Sequence, residues 1–387
     1  MALEAPEPRR CASTMAPACP RCLRRSWLLG ALGGALDKVH GDHARLLDAL
    51  ALDDEQLIQA VGGRRRSELQ AAHADFAADT LARRDRVEAV CIHDRRFPDA
   101  LRFAWGPRAL HVARSAARLD ALTQEPIVAI VGSPRASDYG LEVARSLAGE
   151  LAAVRVTVAS SYEQGIDRAA LIAAAQSDGA TVCALAGGLA GGGASAHERL
   201  TRRGCLVSEL PCDTPARRWG ALAGQRVIAG LASLTVVVEA QHNARELAPA
   251  RLAARLERTV AAVPGRVTSP LAAGPNALLA RGARVVRDPA DALELLFGEG
   301  GRGPADQAPR APALQPRLRD MLARVSTGVD TLDQLVCEGA VLSEVLCTIS
   351  ELELMGLLVR GDGGRYVARR SLAWPRERPE GPRWGGA

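Results

Sequence analysis

The sequence predicts an α/β protein: a doubly wound, mostly parallel sheet, preceded by a small all-α module and followed by a smaller helical unit that ends in a hairpin. Three observations carry this. In the strand–loop–helix unit at 127–151, the apolar, β-branched run Ile127 to Val131 leads through Gly132 to Leu141, Ala144, Leu147, Ala148 and Leu151, which share one helix face. Short apolar runs and helical stretches then alternate as far as Phe297, the pattern of a parallel sheet that takes ligands at the carboxyl ends of its strands. Beyond a Gly/Pro/Ala linker, the periodicity reads helix, helix, helix, hairpin.

Taken in order, residues 1–21 are rich in Pro, Ala and Cys without periodicity and are expected to form a disordered leader. Residues 22–115 read as a helical module and lead-in, broken by Gly30, Gly33-Gly34, Gly41 and Gly62-Gly63. The turn at Gly30 to Gly34 is similar to that of a helix–hairpin–helix, although glycine turns between short helices are common without DNA. The sheet domain is placed at 116–298. After Ile127 to Val131 its strands are expected at Val154 to Ala159, Thr181 to Ala186, Cys205 to Ser208, Thr235 to Glu239, Val260 to Val263 and Arg284 to Val286. Helices are expected at Arg168 to Ser177, Ala196 to Arg203, Pro249 to Leu256 and Ala290 to Phe297.

A linker at 299–315 leads to a last unit at 316–370 and a basic, Pro/Gly-rich tail at 371–387. In that unit the helix Ser343 to Met355 is expected to bury Val345, Leu346, Ile349 and Leu352. Strands Leu357 to Val359 and Arg365 to Val367 flank the turn Gly361-Asp362-Gly363-Gly364. This is a winged-helix plan, but its last helix carries Glu344, Glu351 and Glu353 and no basic residue. Phosphates would repel it, which favours a protein-contact or structural role.

The chain has 387 residues, 48% of them hydrophobic but only 3% aromatic, so its cores must be built from Ala, Leu and Val. A net charge of +5 is compatible with a polyanionic partner. Nine cysteines, an odd number without regular spacing, argue against a secreted disulfide framework and for a reducing compartment. Cys19-Pro-Arg-Cys22, with Cys11 upstream, is the one metal-like spacing. No second CxxC or His pair follows at zinc-finger distance, so the pair reads as coincidental, and no metal or cofactor is expected. Arg24-Arg25 precedes an apolar stretch too short for an export signal, and no uncharged run is long enough to cross a bilayer.

Function is read from the loops at the strand ends. Ser133 and the amides near Gly132 and Gly140 lie at a strand-to-helix transition, where unpaired N–H groups and the helix dipole favour anions. The segments Ser160 to Asp167, Gly187-Gly188-Leu189, Ser208 to Pro211 and Val263-Pro264-Gly265 fall at the same edge of the sheet. No Walker A loop, HExxH, nucleophile elbow or G-x-G-x-x-G pattern is present, so a dehydrogenase or phosphate hydrolase is poorly supported and no enzyme is expected.

The order of these pieces resembles the DNA-processing protein A (DprA, or Smf) family. The resemblance rests on Val-Ala-Ile-Val-Gly-Ser at 128–133, Tyr139-Gly140, Gly165-Ile166-Asp167, Ser208 to Pro211 and Arg226 to Leu231. It continues through Val237 to Ala240, Ala262 to Gly265, Asn276 and Gly282-Ala283, with His93 to Pro98 ahead of the sheet. It implies a Rossmann-like domain in a cytoplasmic homodimer that binds single-stranded DNA, helps load the recombinase RecA and supports natural transformation. Its binding residues map onto Gly132, Ser133, Arg135, Gly165, Asp167, Arg226, Gly265 and Asn276. Arg226, which keeps its family position, is the expected phosphate contact. Asp167 and Asn276 read first as helix-capping groups and second as ligand contacts, and the three glycines would touch ligand through their amides.

The chain also departs from the family. Pro134 stands where arginine is usual, and Arg135 follows one place later. Glu163-Gln164 replaces Ala-x before Gly165, Ala221 to Gln225 replaces a Phe-Pro-x-Arg-Asn run, and Ala244 to Pro249 replaces Ser-Gly-Ser-Leu-Ile-Thr. Lost phosphate contacts weaken binding steeply at physiological salt. Two alternatives therefore stay open: a degenerate paralogue with a structural or regulatory role, and a nucleotide-processing enzyme on a related fold, whose Pro-Gly-Gly-x-Gly-Thr loop is absent here.

Overall fold

The computed structural model describes residues 18–77, 87–191, 194–298, 315–326, 328–336, 341–355, 357–360 and 364–368. The expected leader up to residue 17, the linker at 299–314, the turn residues 361–363 and the tail at 371–387 lie outside the described residues. The chain divides into two compact units, Met1–Asp306 and Gln307–Ala387.

The first unit opens with helices α1 (Pro20–Ala31), α2 (Gly33–Val39), α3 (His43–Ala51), α4 (Asp54–Val61) and α5 (Arg66–Ala74). Helix α1 takes in the last two residues of the expected leader, helped by Pro20 at its first position. Asp42 and Asp53 cap α3 and α4, the second through a capping box with Gln56.

The sheet follows as β1 (Val87–Cys91), β2 (Ala109–Ala113), α6 (Ala116–Thr123), β3 (Ile127–Val131), α7 (Asp138–Ala153), β4 (Thr157–Ser161), α8 (Ile166–Gln176), β5 (Thr181–Ala184), α9 (Ala194–Thr201) and β6 (Cys205–Ser208). It is completed by α10 (Arg218–Leu231), β7 (Leu234–Val237), α11 (Ala248–Arg255), β8 (Thr259–Ala262), α12 (Ala273–Leu279), β9 (Arg284–Val285) and α13 (Pro289–Phe297). The nine strands lie in the order β1-β2-β6-β5-β4-β3-β7-β8-β9. From β6 to β9 all pairs are parallel, whereas β1–β2 and β2–β6 are antiparallel.

Every residue of β3, β4, β5, β6 and β7 is buried, as expected of parallel strands covered on both faces. The expected strands from Ile127 onward are all present, with ends shifted by a few residues. Strands β1 and β2 were not anticipated: the lead-in expected within 22–115 supplies two strands of the main sheet.

Nor does the helical module have a core of its own. Leu28, Leu29, Leu32 and Leu36 pack with Trp219 and Leu222 of α10 and Leu252 of α11 in one apolar cluster. Polar groups cross the same boundary. Trp219 N–H donates to Asp37 at 3.0 Å. The Ser26 hydroxyl donates to the Glu209 carbonyl at 2.6 Å, and its oxygen lies 2.9 Å from His111 Nε2. Because the one hydroxyl proton is already used, His111 Nε2 must be the donor.

The second unit contains α14 (Pro316–Ser326), α15 (Leu332–Leu335), α16 (Leu342–Leu354) and the antiparallel pair β10 (Leu358–Arg360) and β11 (Tyr366–Ala368). This is the helix, helix, helix, hairpin order expected. Leu318, Met321, Leu335, Val345, Ile349, Leu352 and Tyr366 form its core, while Leu346, expected inside, is partly exposed. Two of the acidic groups of α16 are paired, Glu351 with Arg317 at 2.6 Å and Glu353 with Arg360 at 3.1 Å.

Candidate nucleic-acid interface

Winding starts at β3 and runs outward through β4, β5 and β6, then resumes on the other side of β3 with β7 and β8. The strand order thus reverses between β3 and β7. In open α/β sheets the crevice at such a reversal, beyond the carboxyl ends of the strands, is where ligands bind.

Five of the predicted residues, Gly132, Ser133, Arg135, Gly165 and Asp167, meet there. The Gly132 amide donates to Asp167 Oδ1 at 3.0 Å, and the Ser161 amide and hydroxyl both donate to Asp167 Oδ2. The Ser133 carbonyl accepts from the Ile166 amide at 3.2 Å, and the Ser133 hydroxyl accepts from the Arg135 amide at 3.1 Å. Gly165 lies between them with φ of 77°, and a Cβ there would collide with the Ser133 carbonyl and the Pro134 backbone. Only glycine satisfies both the positive φ and the close approach. Burial pushes the Asp167 carboxyl up to about 7, against the donors from Ser161 and Gly132. Asp167 therefore laces the β3–α7 turn to the β4–α8 loop, and its oxygens are taken by groups of this chain.

The start of α7 differs from the expectation of unpaired amides awaiting an anion. Ser137 caps the helix by accepting from the Gly140 amide at 3.1 Å. Glu239, two residues beyond β7, accepts from the Ser137 amide at 2.9 Å and hydroxyl at 2.6 Å. A Cβ on Gly140 would clash with that carboxylate. An internal anion, brought in by the strand next to β3, thus holds the positive end of the α7 dipole.

Arg226 also requires a correction. Its side chain is 1% exposed, bonded to the Trp105 carbonyl and ion-paired with Glu209, itself 4% exposed. It faces the interior because α10 packs against the sheet on one side and the helical module on the other, so the guanidinium is out of reach of a phosphate. Asn276 is a further correction. It lies within α12 and does not cap it; its amide accepts from the Gly265 N–H at 3.2 Å and donates to the Gly265 carbonyl at 3.0 Å. The Val263-Pro264-Gly265 turn is thereby held rigid.

Cations do reach the surface on the same edge. Arg135 after β3, Arg245 after β7 and Arg266 after β8 are all exposed, on loops following three adjacent strands. Arg245 lies 3.8 Å from Glu163, whereas Arg135 and Arg266 have no ion-pair partner among the described residues. Tyr139, in the first turn of α7, is 56% exposed. Sequence reasoning singled out Arg135 alone of the three. The signal for the other two was their position in the segments that follow β7 and β8, at the same edge of the sheet as Arg135.

A nine-stranded, mostly parallel sheet whose winding reverses between β3 and β7, with braced loops and exposed arginines at the carboxyl edge, defines a Rossmann-like α/β protein with a candidate ligand crevice. Residues 88–297 match the family described as DNA recombination-mediator protein A, and the chain belongs to that family. It is 37% identical over 264 residues to DprA of Mycobacterium tuberculosis, covering 65% of this chain and 67% of that protein. It is 34% identical over 258 residues to protein Smf of Escherichia coli, covering 63% of this chain and 68% of the other. Among solved structures, DprA from Streptococcus pneumoniae superposes with a TM-score of 0.54 at 23% identity, over 70% of this chain and 95% of that one, which establishes the shared fold.

Proposed function

We propose that this protein binds single-stranded DNA along the carboxyl edge of its sheet and passes it to RecA, as a homodimer in the cytoplasm. The observation that carries the reading is the row of exposed arginines, Arg135, Arg245 and Arg266, on loops after three neighbouring strands of a recombination-mediator fold. Such a row contacts successive phosphates without reading bases, which gives sequence-tolerant, strongly salt-dependent affinity. Gly132, Ser133, Gly165, Asp167, Gly265 and Asn276 then act by shaping and bracing the loops that present the arginines. No covalent chemistry is needed, and the carboxylates of Asp167, Glu209 and Glu239 are all engaged by donors of this chain.

Fluorescence anisotropy with labelled oligothymidylate at two salt concentrations tests the reading. Binding that weakens as salt rises supports it, and no binding even at low salt overturns it. The second reading, a paralogue with a structural or regulatory role, is favoured by one observation: Glu239 fills the anion seat at α7. A folded chain that binds at neither salt concentration would point to it.

A further inference from the structure

We propose that Cys19, Cys22, Cys91 and His93 form a tetrahedral Cys3His zinc site that pins the amino end of α1 to the sheet at the end of β1. Cys19 and Cys22 bracket the first turn of α1, and Cys91 is the last residue of β1, with His93 just beyond it. The Nδ1 atom of His93 lies 3.4 Å from Cys19 Sγ, 3.5 Å from Cys22 Sγ and 3.9 Å from Cys91 Sγ. All four donor atoms fall within 4.8 Å of one another.

A zinc ion with Zn–S of about 2.3 Å and Zn–N of about 2.0 Å at tetrahedral angles requires S···N of about 3.5 Å and S···S of about 3.8 Å. The three sulfur–nitrogen distances centre on that value. The four side chains project from two backbone segments, 19–22 and 91–93, onto one point, and the cysteines are unpaired thiols.

The surroundings suit a structural site. Cys22 and Cys91 are 3% and 2% exposed, and Ala18, Leu23 and Ala109 pack around them. The Cys19 amide points at Cys91 Sγ at 3.4 Å, the kind of N–H to sulfur bond that steadies a thiolate ligand. Three sulfurs and one imidazole in a closed tetrahedron select zinc over hard cations, which need oxygen donors. Nothing is left open for substrate, so the role is to fasten. Binding converts the three thiols to thiolates and releases their protons to solvent. A redox dithiol made of Cys19 and Cys22 alone would leave Cys91 and His93 without a reason to converge.

The test uses the full chain purified without chelators. Elemental analysis is expected to find one zinc per chain, and exchange for Co2+ to give thiolate-to-metal charge transfer with the intense visible bands of a tetrahedral centre. Cys22→Ser and His93→Ala should lose the metal, whereas Cys347→Ser, in the other unit, should keep it. The cobalt spectrum of the unaltered chain decides the matter even where a variant fails to fold. A metal-free chain that folds and gains no metal on zinc addition would overturn the proposal, as would a Cys19–Cys22 disulfide found by mass spectrometry or an octahedral cobalt spectrum.

Discussion

Replacing Arg226 with alanine separates two roles for this residue, because a phosphate contact and a buried brace fail in different ways. The side chain is 1% exposed and its partner Glu209 4%, so Arg226→Ala leaves a carboxylate and the Trp105 carbonyl without their donor inside the protein. Breaking a buried ion pair from one side costs about 3–5 kcal/mol. That is a large share of the roughly 5–15 kcal/mol that holds a typical domain together. At about 2–4 °C per kcal/mol for a unit of this size, the melting temperature should fall by on the order of 10 °C. Scanning calorimetry measures this, and oligothymidylate titrations over a salt series, run well below the lowered transition, measure binding. We expect a destabilised protein whose salt slope matches the unaltered chain. The paired variant Arg226→Met with Glu209→Leu should recover much of the loss, since it removes both charges. An Arg226→Ala protein that keeps its melting temperature yet loses affinity and salt dependence would refute the buried-brace reasoning.

Three further outcomes are expected. Arg135→Ala should weaken single-stranded DNA binding and flatten the plot of log affinity against log salt by about 0.7, the share of one phosphate contact, with no change in stability; anisotropy titrations check this. Gly165→Ala should cost about 2 kcal/mol or more in urea unfolding, because φ of 77° disfavours a Cβ and the Ser133 carbonyl blocks it. Burial lowers the His111 imidazole to about 4 from its ordinary 6.5, so it stays neutral in the folded protein while the unfolded chain takes up a proton below about 6.5. The stability His111 contributes is thus full above 6.5 and lost as pH falls toward 4, by about 3 kcal/mol. The raised Asp167 carboxyl acts with opposite sign between 3.8 and about 7, so the His111 slope is read as the difference between the unaltered protein and His111→Asn in urea unfolding at several pH values.

The sheet from β3 onward was legible because parallel strands covered on both faces are continuous apolar runs bounded by turn residues. Strands β1 and β2 escaped notice for the complementary reason. Strand β1 is an edge strand with Glu88 exposed, and β2, though buried, is a short run with His111 at its centre that pairs antiparallel on both sides. Of the site, the glycines and Asp167 could be placed because strand-end turns have local signatures. Arg226 could not, since nothing local distinguishes a buried arginine from a solvated one in a chain this rich in arginine. Its burial follows from packing against Trp105 and Glu209, both distant in sequence. Cys19 and Cys22 looked like an isolated pair because His93 lies 71 to 74 residues away.

The shared core of the helical module and the sheet also bears on how the chain is made. Ser26 bonds to Glu209, 183 residues later, and Asp37 receives its bond from Trp219, 182 residues later. At a synthesis rate of about 5–20 residues per second, the first helices leave the ribosome roughly 10–40 s before the residues that cover them exist. During that interval Leu28, Leu29, Leu32 and Leu36 have only the rest of the module, such as Leu46, Leu57 and Ile58, to pack against, in a cluster that α10 and α11 complete. The helical module is thus made well before the residues that complete its core, a window in which chaperones have their opportunity.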